Sequence, residues 1–233
     1  MELGKRIVIE GTDGTGKTTI ADMLAWQLRQ NNIAVIRVDE PDSAIDVNGN
    51  ILVPEARALR KIIKDGSIPR SPEANLTLFN ASRFANWTQA SRPALQLGHW
   101  VLQARDKKSS EGYQGYAEGM GIHKVRELTR AVMGDEYMQP DYDVILDFDD
   151  SEEEIRLNRI SQRGILETPD TFESRGGDFQ QKIRDGYRII AAMDGTDIVS
   201  ANQERIAIAD EVWHRMMGKF GLQLTHFDWS LAA

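Results

Sequence analysis

The chain has 233 residues, 41% of them apolar and 27% charged, a balance that suits one ordinary water-soluble α/β domain. It contains no cysteine, which excludes disulfides and thiolate metal sites, and its net charge of −8 argues against broad duplex-DNA binding, because neutralising phosphates takes a basic face. No apolar run approaches the roughly 18 residues of a membrane-spanning helix, so no membrane partner is expected.

The first element is "RIVIE" (6–10), a β-branched run that reads as a buried strand. It leaves no room for a signal peptide, so with the absence of cysteine the expected compartment is cytoplasmic. "GTDGTGKTT" (11–19) follows, and Gly11, Gly16, Lys17 and Thr18 fit G-x-x-x-x-G-K-[ST] between that strand and a helix over 17–30. In that helix Ile20, Leu24 and Leu28 share one face. Glycines at such spacing let backbone N–H groups turn inward around phosphate oxygens, and the helix N-terminus adds partial positive charge. The loop, with Gly14, Thr15 and Thr19 completing it, is therefore expected to hold the phosphates of a nucleoside triphosphate. Lys17 would face the β- and γ-phosphates, and the Thr18 hydroxyl would face Mg²⁺.

Further strand-like runs lie at 33–38, 99–102, 143–148 and 196–200. Stretches of helical spacing separate them at 53–65, 72–97, 121–133, 151–163, 177–193 and 202–217. Such alternation predicts a five-stranded parallel sheet with helices on both faces, in one domain over 1–218 with a C-terminal extension at 219–233. Two segments read as irregular: the polar, glycine-rich 104–120, and 164–178 with Pro169 and Gly176–Gly177, the core of a mobile lid at about 159–178. The strand at 99–102 runs on into Gln103 and Ala104, with no acid before Asp106, and no N-K-x-D occurs anywhere. A GTPase or motor is therefore not expected. His99, His123, His214 and His226 lack ligand spacing.

An ordered run of weaker motifs specifies more. "IEGTDGTGKTT" (9–19), "DEP" (39–41), "LFNASR" (78–83), "RPALQLG" (92–98), "ARDKKSSEGYQG" (104–115) and "MGDEYMQPDYDVILDFD" (133–149) resemble, in order, the motifs of the thymidylate kinases, P-loop kinases that phosphorylate nucleoside monophosphates. The resemblance implies a P-loop kinase fold, a homodimer, and transfer of phosphate from ATP with Mg²⁺ to dTMP or a related pyrimidine deoxynucleoside monophosphate. It implies that Asp13 contacts the acceptor sugar hydroxyl, that Phe79 and Arg83 stack on and hydrogen-bond the acceptor, and that Arg105 holds its phosphate. Glu40, Pro41, Ser110, Tyr113 and Gln114 would line the same compartment.

From the residues alone, Asp13 can equally stiffen its loop, Phe79 can be core, and Ser110, Tyr113 and Gln114 can be solvated loop residues. The phosphate loop carries no arginine, so the transition-state cations are expected on the lid side. Arg156, Arg159 and Arg163 share a helix face by spacing, and an i, i+4 pair with Glu152 accounts for Arg156. This leaves Arg159 and Arg163 as the catalytic candidates beside Lys17 and Arg105. Arg175 stands in reserve, and Arg184 is a further match to the resemblance.

Three departures stand out: Ala104 where the family has an acid, Asp39 where it has an arginine, and the tail after 218. They bear on the acceptor more than on the fold. A kinase acting on another acceptor (another deoxynucleotide, a nucleoside, or a base in DNA reached past Lys107 and Lys108) and a non-catalytic nucleotide-binding regulator remain as alternatives. The expected partners are small nucleotides, with nucleic acid disfavoured by the charge.

Overall fold

The computed structural model describes residues 3–161, 172, 175–223 and 229. β1 (Arg6–Gly11) passes through the phosphate loop into α1 (Lys17–Gln30) and returns as β2 (Val35–Asp39), on which β3 (Ala44–Ile45) turns back antiparallel. After α2 (Pro54–Lys64) and α3 (Pro72–Asn86), a π-helical turn at Trp87–Ser91 runs into α4 (Arg92–Gln96) and β4 (Trp100–Ala104). α5 (Lys107–Ser110) continues as a second π-helical stretch, Glu111–Ala117, before α6 (Ile122–Met133), α7 (Asp135–Met138) and β5 (Tyr142–Asp147). A 3-10 turn at Asp150–Glu152 opens α8 (Glu153–Ser161), and α9 (Gly177–Asp194), β6 (Asp197–Ser200) and α10 (Arg205–Phe220) follow.

The sheet order is β3-β2-β4-β1-β5-β6. The five expected strands are all present and parallel; the sixth, β3, is a two-residue edge strand too short to leave a period in the sequence. Alternate strand residues sort to opposite faces, as a period of two requires. Ile7, Ile9, Trp100, Leu102, Val144 and Leu146 pack against α1 and α10, whereas Ile36, Val38 and Val101 meet Ala85, Ala90 and Ala94 on the other side. Both faces are covered, which is why these strands read as continuous apolar runs.

The stretch 72–97 is not one regular helix. Pro93 has no N–H to donate, and the ladder just before it widens into the π turn, where Arg92 N–H donates to the Trp87 carbonyl. A larger correction concerns 104–120, expected to be irregular. It is largely helical, and Asp106–Gly115 is buried. Its glycines serve close packing: a Cβ on Gly186 of α9 would sit 3.0 Å from the Tyr116 Cβ and 3.3 Å from the Gly112 Cα. Lys107 and Lys108 are buried with it, and Lys108 bonds to Asp143 and Thr196, so this pair builds no basic groove.

Most of the expected lid, including Arg163, lies outside the described residues. In the tail, Trp229 is buried edge-to-face on Trp213 and donates to Asp210 at 3.2 Å. Among the described residues no helix is long and apolar enough to cross a membrane.

Candidate active site

β1, β2 and β4 end together at the carboxyl edge of the sheet, and a cleft opens there. The phosphate loop forms its floor. Gly11, Gly14 and Gly16 hold φ values of 137°, 91° and 91°, which L side chains rarely adopt. Gly14 is also fixed by contact, since a Cβ there would meet the Arg156 Cγ at 3.0 Å. Thr15 is buried and donates to the Thr12 carbonyl at 2.9 Å, bracing the loop from within. The Lys17 Nζ donates to the same carbonyl at 2.6 Å, and no side chain caps the first turn of α1. Gly16, Lys17, Thr18 and Thr19 line the cleft.

Asp13 is held inside the loop by a charged partner. Its carboxylate accepts from the Arg105 guanidinium and, at 3.3 Å, from the Tyr113 hydroxyl, with Lys17 at 4.0 Å. Burial works to raise its pKa, but Arg105 and then Lys17 outweigh that, and the net shift is downward. Arg105 leaves β4 with a positive φ of 68° and also donates to Ser109 at 3.2 Å. Burial alone would lower its pKa, and Asp13 raises it well above the ordinary value.

The second half of the cleft is built from α3 and the buried segment after β4. Phe79 lines it and also packs on Phe172, with ring centroids 5.9 Å apart, so lining and packing are both satisfied. Tyr113, Ser110 and Gln114 line it too. The Ser110 Oγ and Gln114 Oε1 are buried without a hydrogen-bond partner among the described residues. Buried polar atoms in that condition call for a partner, and at the cleft wall a water or a bound ligand would supply one.

Arg83 is not on the cleft surface. It is 1% exposed, with its Nε on both Glu40 oxygens at 3.0 and 3.1 Å and its other donors on Asn80 and the Asp106 carbonyl. Glu40 and Pro41 border the cleft above it. Burial drives the Glu40 pKa upward, against the pull of Arg83. Deeper still, Asp106 pairs with Arg6 at 2.9 Å and accepts from Tyr137, which fixes it in the interior and away from Thr18. Glu10 is likewise fully buried, accepting from Asp106 N, Ser109 and Tyr187.

The lid-side arginines sort differently from their spacing. Arg159 turns from the cleft, donating to the Ala201 carbonyl at 2.9 Å and lying over Phe148. Arg156 takes the inner position: it is 2% exposed, and its guanidinium donates to the Asp13 carbonyl at 3.1 Å. Its acidic partner is Glu153, not Glu152, which closes a capping box with Asp149. Arg184 joins Arg156 on Glu153.

Sequence reasoning passed over Arg60 and Lys64, which bring two cations from α2 to the lining of the cleft. Their i, i+4 spacing was the available signal. Asp39, noted only as a departure, accepts a 2.8 Å hydrogen bond from the Thr18 hydroxyl. A hydroxyl and a carboxylate beside a phosphate loop are hard oxygen donors, the kind Mg²⁺ takes, so the residues present fit that ion.

The family model described as thymidylate kinase matches residues 9–212. The chain is 31% identical to the thymidylate kinase of Prochlorococcus marinus (strain MIT 9515) over 224 residues, covering 93% of this chain and 98% of that one. It is 33% identical to the thymidylate kinase of Rhodopseudomonas palustris (strain TIE-1) over 214 residues, covering 90% and 87%. For the thymidylate kinase of Bradyrhizobium diazoefficiens the identity is 32% over 213 residues, with the same coverage. A family match that runs from β1 into α10, with relatives aligned over 90% or more of the sequence, leaves one assignment: the chain belongs to the thymidylate kinase family.

Proposed function

We propose that the protein transfers the terminal phosphoryl group of ATP to dTMP, or to a closely related pyrimidine deoxynucleoside monophosphate, giving ADP and the nucleoside diphosphate. The observation that carries this reading is the Asp13–Arg105 pair at the seam between phosphate loop and inner compartment, with the Ser110 Oγ and Gln114 Oε1, unbonded among the described residues, beyond it. A nucleotide laid in that compartment would present its phosphate to Arg105, its sugar hydroxyl to Asp13 and its base edge to Gln114 and Ser110. Phe79 offers the base an aromatic face.

Chemically little else is required. An oxygen of the acceptor phosphate attacks the γ-phosphorus, the bond to the β–γ bridging oxygen breaks, and ADP leaves with that electron pair. No side-chain nucleophile takes part. Lys17 neutralises charge on the β- and γ-phosphates, Arg105 orients the attacking phosphate, and Arg156, seated on the phosphate loop, is among the described residues the lid-side cation best placed to reach the transferred group. Arg163 keeps the role proposed for it from the sequence and lies outside the described residues. Mg²⁺, when bound, would neutralise phosphate oxygens, with Thr18 and Asp39 as the nearby oxygen donors. With small nucleotides as its substrates, the protein is proposed to act in the cytoplasm as a homodimer. Burial of Lys107 and Lys108 counts against a nucleic-acid acceptor.

The test is ADP release from Mg-ATP with dTMP, dUMP, the other deoxynucleoside monophosphates, thymidine and single-stranded DNA. Turnover is expected with dTMP or one close pyrimidine monophosphate. Turnover with thymidine or DNA alone would overturn the assignment of Arg105 to a free nucleotide's phosphate.

A further inference from the structure

In phosphate-loop enzymes, a carboxylate at the end of a neighbouring strand commonly works with the loop's Ser/Thr hydroxyl to hold the divalent cation. Here β4, next to β1 in the sheet, ends in Ala104, which offers none. The other acids around the loop are committed elsewhere. Asp13 is paired with Arg105, Glu40 with Arg83 and Asp106 with Arg6, and Glu10 is closed in by Ser109 and Tyr187.

Asp39 differs from all of these. It is the last residue of β2 and lies directly across from Ala104 in the β2–β4 register. It borders the cleft, and the one side-chain hydrogen bond recorded for it among the described residues is the 2.8 Å bond from Thr18. A threonine hydroxyl that donates its proton to a carboxylate has its lone pairs left for a cation. The carboxylate's one negative charge is shared with its second oxygen, which takes no part in the bond to Thr18.

We infer that Asp39 is the metal-positioning carboxylate of this protein: moved one strand over from the position Ala104 leaves empty, it orients the Thr18 hydroxyl and draws the divalent cation to the donor phosphates. The inference rests on the phosphate-transfer reading for the existence of a metal–nucleotide complex, but not on which acceptor is used.

The experiment therefore leaves the acceptor out. Mn²⁺ affinity is measured by the electron paramagnetic resonance signal of free Mn²⁺, in the full-length protein saturated with ADP, for wild type, Asp39→Asn and Asp39→Asn/Ala104→Asp. ADP affinity is measured separately in EDTA. Asp39→Asn should weaken Mn²⁺ binding about 10-fold or more, leave metal-free ADP affinity unchanged, and regain Mn²⁺ affinity when Ala104→Asp restores a carboxylate on β4. Mn²⁺ affinity within twofold of wild type in Asp39→Asn would overturn the inference. So would an equal loss of ADP affinity in EDTA, which would mark Asp39 as a brace for the loop. Should Asp39→Asn lose its circular-dichroism melting transition, Asp39→Ser, which keeps a hydrogen-bond acceptor for Thr18, carries the same comparison. Failure of the dTMP assay leaves this readout untouched.

Discussion

Arg105 leaves β4 in a backbone conformation rare for a side-chain-bearing residue, and its guanidinium donates to Asp13, Ser109 and the Tyr113 hydroxyl. Strain of this kind persists only where the surroundings over-determine it. A planar fork can hold Asp13 and a phosphate together, which a lysine's point charge cannot. Arg105→Lys is therefore expected to cut kcat/KM for the acceptor by about 100-fold while the KM for ATP stays within about threefold. Steady-state kinetics at varied concentration of each substrate checks this. Asp13 adds a pH dependence. Its folded pKa is pulled below the unfolded value of roughly 3.9, so the unfolded chain takes up the proton first as pH falls. The stabilisation it provides is complete above about pH 5 and is lost as pH falls through the folded value. Urea unfolding of wild type and Asp13→Asn should show a stability gap that is constant from neutrality down to about pH 5 and narrows progressively as pH falls from there towards pH 3. A gap constant across that range would remove Asp13 from the account.

At the scale of elements, α8 shows where spacing informs and where it misleads. Spacing puts Arg156, Arg159 and Arg163 on one stripe, but a helix face does not say which end of the stripe meets the loop. Docking against Gly14, through a contact that a single Cβ would disturb, turns Arg156 inward and leaves Arg159 over Phe148. Arg156→Ala is expected to lower kcat about 100-fold with little change in nucleotide affinity, as for loss of one transition-state donor, and Arg159→Ala to stay within about threefold of wild type. Rapid-quench measurement of the chemical step separates these from effects on product release. The same limit applies to the segment after β4. Polar residues and glycines suggested a loop, because sequence alone cannot distinguish a glycine used for a turn from one used to bring two helices together, as Gly112 and Gly186 are. The five parallel strands were legible because each carries a short apolar run, rich in β-branched residues in all but β4. The Asp13–Arg105 and Arg83–Glu40 pairings were not, since they join residues 92 and 43 positions apart.

For the whole molecule, α2 and α3 have two working faces. The inner face brings Arg60, Lys64 and Phe79 to the cleft. The outer face forms an apolar groove that includes Leu59, Ile62, Ala81 and Phe84, with Ile62 and Phe84 each 47% exposed. Large apolar side chains grouped in this way are costly to leave in water, and a second copy of the chain, meeting the groove about a two-fold axis, would cover them with the same surface. Dimerisation through this face would also stiffen α3, which carries Phe79 to the cleft, tying assembly to acceptor binding. The protein is expected to sediment at twice the 26.3 kDa mass of one chain. Phe84→Glu should shift it to the monomer and raise the KM for the acceptor several-fold, with the KM for ATP unchanged, because the phosphate loop stands on β1 and α1, away from the groove. A wild-type protein that sediments as a monomer at micromolar concentration, or a monomeric Phe84→Glu variant with unaltered acceptor KM, would separate the groove from the reaction and leave its apolar face without a role in catalysis.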